Sequence, residues 1–222
     1  MPRGTVIKCD WHMCGCKVEY GDATFMWQDD RRKIFWYEIP RCASTSVRKA
    51  LKNGLTQYRQ DGCTPDLGQK YAREKGYSQF AIIRDPISRL RSCYSIFQLN
   101  WERQKGVFGI GKNGHMSFHE FVSSIRRCSD HHFQPQTVFL PQDTSDVTLM
   151  NMSDKDFILR WDAFFSSLGN GSADPVLGHA GSSNQANTSI DQILNDEKLS
   201  KIVFDFYKDD FKLLGFSKDY IR

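Results

Sequence analysis

The apolar positions of this chain cluster in short blocks between polar and glycine-rich stretches. Ile34-Phe35-Trp36-Tyr37 is too short for a helix and has no charged residue, so it predicts a strand buried on both faces. The run stops at Pro40 and passes through Arg41, Cys42, Ala43, Ser44, Thr45 and Ser46 into a helix-like pattern with basic residues, for which Gly54 supplies an end. A second buried strand is predicted at Gln79 to Ile83. Pro86 then opens a helix along which Arg89, Leu90, Tyr94, Ile96 and Phe97 recur with helical spacing.

The remaining blocks are predicted as follows. A hairpin is expected from Cys16 to Trp27 and a short helix near Lys70 to Lys75. Met116 to Arg127 reads as an amphipathic helix using Phe118, Phe121, Val122 and Ile125. Asp156 to Trp161 reads as a third strand, with Asp162 to Leu168 helical after it. A C-terminal helical region is expected from Ile190 to Leu214, its stripe of Leu194, Leu199, Ile202, Val203, Phe206 and Phe211 serving as core. Trp101 to His115 is a glycine-rich, basic surface loop or lid, and Gly169 to Asn187 is rich in Gly, Ser and Asn. Strands alternating with helices predict an α/β fold with a central, mostly parallel sheet flanked by helices. Residues 1–32 are expected to be an extension packed on a domain formed by 33–222.

The strand-loop-helix at Lys33 to Leu51 is laid out as an anion site. Free N–H groups at a helix start, the Ser44, Thr45 and Ser46 hydroxyls and the Arg41 guanidinium would converge on one phosphate-sized group. A capped helix after a strand gives the same pattern. A second junction, Arg84-Asp85-Pro86, follows the second strand, and in such sheets ligands lie beyond the carboxyl ends of the strands.

Composition narrows the setting. The 222 residues fit one α/β domain, and a net charge of +4 allows phosphate- or sulfate-bearing partners without requiring nucleic acid. Neither a signal-peptide core nor a bilayer-length apolar run is present, so a cytoplasmic protein is expected from the sequence as written. The seven cysteines then read mostly as free thiols. Cys9, His12, Cys14 and Cys16 could form a zinc site, but Cys14-Gly15-Cys16 is tighter than the usual knuckle and no second ligand pair follows, so no metal is expected.

These residues match a family. IPRCASTSVRKAL resembles the 5′-phosphosulfate loop of sulfotransferases, Pro-Lys-x-Gly-Ser/Gly-Thr-Ser, and IIRDPISRLRSCY resembles their 3′-phosphate motif, Arg-Asp/His-Pro-x-x-Arg-x-x-Ser-x-Tyr. Asp130-x-His132-Phe133-x-Pro135-Gln136 is similar to the Asp-x-His-Trp-x-Pro-Gln segment of carbohydrate sulfotransferases. The C-terminal FYKDDFKLLGF is similar to their Tyr-x-x-Asp-Phe/Tyr ending. The resemblance covers residues 33 to 216 and implies a P-loop-kinase-like three-layer fold. It also implies that 3′-phosphoadenosine 5′-phosphosulfate (PAPS) gives its sulfuryl group to an acceptor hydroxyl, most simply on a carbohydrate.

On that resemblance Arg41, Cys42, Ala43, Ser44, Thr45 and Ser46 would hold the 5′ end, with Arg41 in the place of the catalytic lysine. Arg84 and Ser92 would grip the 3′-phosphate, supported by Arg89 and Tyr94. His132 is the first candidate for general base and Glu74 the second; packing under the cleft for His132, or a solvated helix charge for Glu74, accounts for either residue as well. Two departures stand out. Arg41 keeps the charge of the lysine but does not readily give up a proton, and Cys42-Ala43 replaces the usual x-Gly. A noncatalytic binding relic and a P-loop-type kinase are the alternative readings; the second lacks a Gly-x-x-x-x-Gly-Lys-Ser/Thr. Many animal relatives are Golgi proteins with a leading anchor, so a Golgi-lumenal setting is expected if the chain is part of an anchored protein.

Overall fold

The computed structural model describes residues 25–59, 62–98, 117–127, 131–169, 175–178 and 195–216. They fall into two compact units, one spanning Thr24–Asp85 and Gln136–Ser182, the other taking in Pro86–Pro135 and the chain from Ser183 on. The expected hairpin at Cys16 to Trp27, the loop at Trp101 to His115, most of Gly169 to Asn187, and the Cys9, His12, Cys14 and Cys16 cluster lie outside the described residues.

The first unit is built on a five-stranded sheet. In chain order its elements are β1 (Met26–Asp29), β2 (Ile34–Tyr37), α1 (Ser44–Ala50), β3 (Thr56–Gln57), α2 (Pro65–Glu74) and β4 (Ser78–Ile83). The chain re-enters this unit at Gln136, and β5 (Val147–Asn151) and the helix Phe157–Ser167 belong to it. The strand order is β3-β1-β2-β4-β5. β2, β4 and β5 pair in parallel, whereas β1 pairs antiparallel with both β2 and β3, so the sheet is mixed, with β1 alone running against the other four strands.

The central place of β2 explains its unbroken apolar run. Ile34, Phe35, Trp36 and Tyr37 are all fully buried, each side chain contributing about 1.5–3 kcal/mol. Trp36 stacks on Phe80 of β4 at 6.2 Å, and the Tyr37 hydroxyl donates to Gln79 Oε1 at 2.7 Å. Burial pushes the Tyr37 hydroxyl far above its ordinary pKa, which keeps it a donor.

Turns and caps depart from the sequence reading in three places. α1 ends at Ala50, and Gly54 does not terminate it. Gly54 is needed where the chain passes the buried Asp29, because a Cβ there would collide with the carboxylate. Asp29 in turn accepts the Arg31 and Arg32 amides, each at 3.0 Å, and pairs with Arg32 Nη1 at 2.5 Å, fixing the β1–β2 turn. α2 begins earlier than expected because Thr64 caps it, its hydroxyl accepting from Leu67 N at 3.3 Å, with Pro65 at the first position.

The third departure concerns the predicted strand at Asp156 to Trp161. Those residues open a helix, whose face of Phe157, Trp161 and Phe165 is buried at a spacing of four, while Leu159 is 70 % exposed. The third parallel strand is the preceding β5, where only Val147 and Met150 are buried.

The second unit contains α3 (Pro86–Gln98), α4 (Phe118–Ser124), α6 (Glu197–Phe206) and α7 (Lys208–Leu213), the helix Phe157–Ser167 of the first unit being α5. Its core joins Ile87, Leu90 and Tyr94 of α3 with Phe118, Phe121 and Val122 of α4 and Leu199, Val203 and Phe204 of α6. Tyr94 packs edge-on against Phe118 at 5.0 Å. A capping box starts α4: Glu120 N donates to Ser117 Oγ at 3.2 Å and Ser117 N to Glu120 Oε2 at 2.8 Å.

Candidate functional site

The loop after β2 holds the first group of candidate residues, Arg41 to Ser46. The Cys42 amide and the Ser44 hydroxyl both donate to Ile39 O, each at 3.1 Å, which folds Pro40–Ala43 into a tight turn. Closing this turn demands the left-handed region twice: Arg41 has φ 71° and Ala43 φ 57°. Glycine takes this conformation without a Cβ penalty, and the sulfotransferase-like pattern has glycine at the position of Ala43. Ala43 therefore holds this conformation at a steric cost that glycine would not carry. α1 starts directly after Ala43, and no side chain caps it. First-turn amides have no intrahelical acceptor, so their positive end faces the loop. Arg41, Ala43 and Ser44 are partly exposed, Thr45 exposed, and Cys42 and Ser46 buried.

The loop is held from outside by an ion pair that sequence reading missed. Glu38, 3 % exposed, receives Arg48 of α1 on both carboxylate oxygens and Trp27 Nε1 at 2.6 Å. The Arg48 guanidinium also lies over the Trp27 ring at 4.9 Å. Glu38 and Arg48 flank the loop in sequence, but a spacing of ten across an irregular turn gives no periodic signal.

Arg84 follows β4, the parallel neighbour of β2, so both junctions leave the same end of the sheet. Arg84 is partly exposed and its backbone is gripped by the fully buried Gln136. The Arg84 amide donates to Gln136 Oε1 at 2.9 Å, Gln136 Nε2 donates to Arg84 O at 2.7 Å, and the Cys42 thiol donates to the same Oε1 at 3.3 Å. Gln136 closes the Asp130–Gln136 segment, and nothing in the sequence pattern points to this partner 52 residues away. Glu74 closes α2 beside the amino end of β4, away from both junctions. Its side chain is 62 % exposed and pairs with Lys70 at 4.0 Å, the geometry of a solvated helix charge.

The other predicted residues lie in the helical unit. Ser92 and Arg89 on α3 are buried, and Arg89 Nη1 donates to Gln134 O at 2.7 Å. His132 is partly exposed, its ring 4.0 Å from that of His131, and its carbonyl accepts the Cys93 thiol at 3.0 Å. Tyr207 holds the same segment, its hydroxyl donating to Phe133 O at 2.8 Å. Thus the C-terminal motif and the 3′-phosphate-like helix both brace the His132 segment. Among the described residues, no His, Cys, Asp or Glu cluster has the proximity to hold a metal ion, and no helix is long and apolar enough to cross a membrane.

The sheet unit is thus a mixed α/β sheet with a basic loop and a second arginine leaving the same end of two paired parallel strands. The family model described as "Sulfotransferase family" matches residues 24–217, and the chain belongs to that family, whose members are transferases. No curated protein and no solved structure gives a significant match.

Proposed function

We propose that the protein is a PAPS-dependent sulfotransferase acting on an acceptor hydroxyl, with a carbohydrate as the favoured acceptor class. The observation that carries this reading is the departure of the Pro40–Ser46 loop and Arg84 from the same end of two paired parallel strands. In PAPS the transferable sulfuryl group sits on the 5′-phosphate and a second phosphate on the ribose 3′ position, and members of the family generally use this donor. The donor set suits such a group: an uncapped helix start, hydroxyls and two partly exposed arginines, without a carboxylate among Pro40–Ser46.

In this reading Arg41 and the loop amides bind the 5′-phosphate and neutralise the charge that grows on it as the sulfur–oxygen bond breaks. Cys42, Ala43, Ser44, Thr45 and Ser46 shape that cradle. Arg84 binds the 3′-phosphate, a task suited to its planar fork, and Ser92 joins it on the strength of its motif position. His132 takes the proton of the acceptor hydroxyl as the oxygen bonds to sulfur, leaving adenosine 3′,5′-bisphosphate and a sulfate ester. Glu74 is assigned no step. The catalytic domain is read as 33–222, with a P-loop-kinase-like layering of the sheet.

The experiment is direct. Adenosine 3′,5′-bisphosphate should raise the melting temperature, and labelled sulfate should pass from PAPS to a sugar within a panel of sugars, lipids and phenols. No thermal shift at millimolar nucleotide sinks the reading, and a larger shift with ATP and Mg²⁺ turns it toward a kinase. One observation favours a second reading, a binding module without turnover: Arg41 stands where the family motif has lysine. Nucleotide binding with no transfer to any acceptor class would select it.

A further inference from the structure

The β4–β5 ladder ends at the Ile83–Asn151 pair, and one residue later the Gln136 amide takes the place of a strand neighbour. It accepts the Arg84 N–H and donates to the Arg84 carbonyl, a two-way clamp on the backbone from which the guanidinium departs. The same oxygen accepts the Cys42 thiol, so one fully buried side chain joins the turn after β2 to the junction after β4. A primary amide is the side chain that offers a donor and an acceptor in this fixed, planar arrangement. A buried amide so satisfied has little freedom to shift, and a displaced Arg84 backbone would carry its side chain with it.

We infer that Gln136 is a positioning residue whose amide fixes Arg84 against the Cys42 turn, and thereby sets the preference of the site for a nucleotide phosphorylated at both the 5′ and 3′ positions. The inference rests on the reading of the loop and Arg84 as the two phosphate grips. Gln136 touches no substrate in this account; it acts through Arg84.

The test compares dissociation constants for adenosine 3′,5′-bisphosphate and adenosine 5′-monophosphate by calorimetry, well below the melting temperature of each variant. The wild type is expected to prefer the bisphosphate by about tenfold or more, the scale of one charge-assisted contact. Gln136→Met should cut that preference to less than about threefold while leaving monophosphate binding within about twofold. Arg84→Ala should remove the preference alone, and adding Gln136→Met to it should change nothing more. Should Gln136→Met not fold, Gln136→Asn keeps an amide but falls one methylene short of the clamp, and the same loss of preference is expected. A folded variant with the wild-type preference, or one that weakens both nucleotides equally, overturns the inference and leaves the site reading intact. A wild type that binds neither nucleotide overturns the site reading, and the inference with it, before any variant is needed.

Discussion

The carboxylate of Glu38 and the guanidinium of Arg48 close a bracket around the Pro40–Ser46 loop, with Arg48 Nη2 at 2.7 and 2.6 Å from the two oxygens. Glu38 lies on the strand side of the loop and Arg48 on the helix side, so the pair fixes where α1 begins relative to β2. The side chain of Glu38 is 4 % exposed and that of Arg48 50 %. Removing the arginine strands a buried charge, whereas removing the glutamate leaves a cation that water can reach.

Arg48→Ala is therefore expected to destabilise the protein by about 2 kcal/mol, below the value for a fully buried pair because water can enter where the arginine stood. Arg48→Lys should recover part of the loss, since an ammonium keeps the charge but not the planar stacking on Trp27. Urea denaturation measures both, and an unchanged midpoint for Arg48→Ala would remove the bracket from the account.

Ala43 supplies a second stability prediction. At φ 57° its Cβ costs about 1–2 kcal/mol, from which the greater freedom of glycine in the unfolded chain subtracts about 0.4–1 kcal/mol. Ala43→Gly should thus raise stability by about 0.5–1 kcal/mol, and Ala43→Val, with a branched Cβ, should lower it. Paired thermal melts decide the sign.

The elements nearest the loop were legible because their signals are local. Ile34–Tyr37 is apolar on both faces, and Pro86 opens α3. The misreadings have a physical cause too. Phe157-Ile158-Leu159 looks like a strand core in a short window; the helical period appears only when Trp161 and Phe165 are added, and two of the three run residues turn out exposed. β5 hides because only two of its five residues are buried. Glu38–Arg48 and Gln136–Arg84 are tertiary partners, ten and 52 residues apart, and no period encodes them.

If the proposed chemistry holds, Arg41 carries the largest single effect on transfer. Arg41→Ala should lower kcat/KM by roughly 100-fold or more, the usual loss for one donor aimed at developing charge. Arg41→Lys should stay within about tenfold of the wild type, since the charge persists and the fork is lost. Steady-state transfer from labelled PAPS measures both, and equal activity of all three proteins would move the catalytic role elsewhere.

Acid pH is expected to act through Asp143. Bonds from the Ser145 side chain and amide, and after them the Arg73 guanidinium, lower its carboxyl from 3.8 to about 2. The folded value lies below the unfolded one, so the contribution is complete above about pH 4 and is lost as pH falls through about 2. Carboxyl-detected NMR should find Asp143 titrating near the foot of the acid range. Ser145→Ala should raise its midpoint more than Arg73→Ala does, because the bond from the Ser145 side chain holds the carboxylate more than the exposed guanidinium does, and the reverse result would show that the guanidinium dominates.

Glu74 gives a prediction of no effect, and it follows from the direction of the strands. The turn at Lys75–Tyr77 joins Glu74 to Ser78, the first residue of β4, and Ser78 N is bonded to Lys33 O at 2.8 Å, just before β2 begins. The Pro40–Ser46 loop and Arg84 both follow the far ends of those strands. Six residues of β4 at about 3.3 Å each separate the ends by about 20 Å, beyond the reach of any side chain. Glu74→Gln should accordingly leave kcat/KM within about twofold of the wild type and change stability by less than about 0.5 kcal/mol, as for an exposed i,i+4 pair with Lys70. A loss of about 100-fold in kcat with unchanged folding would restore it as the base and displace His132.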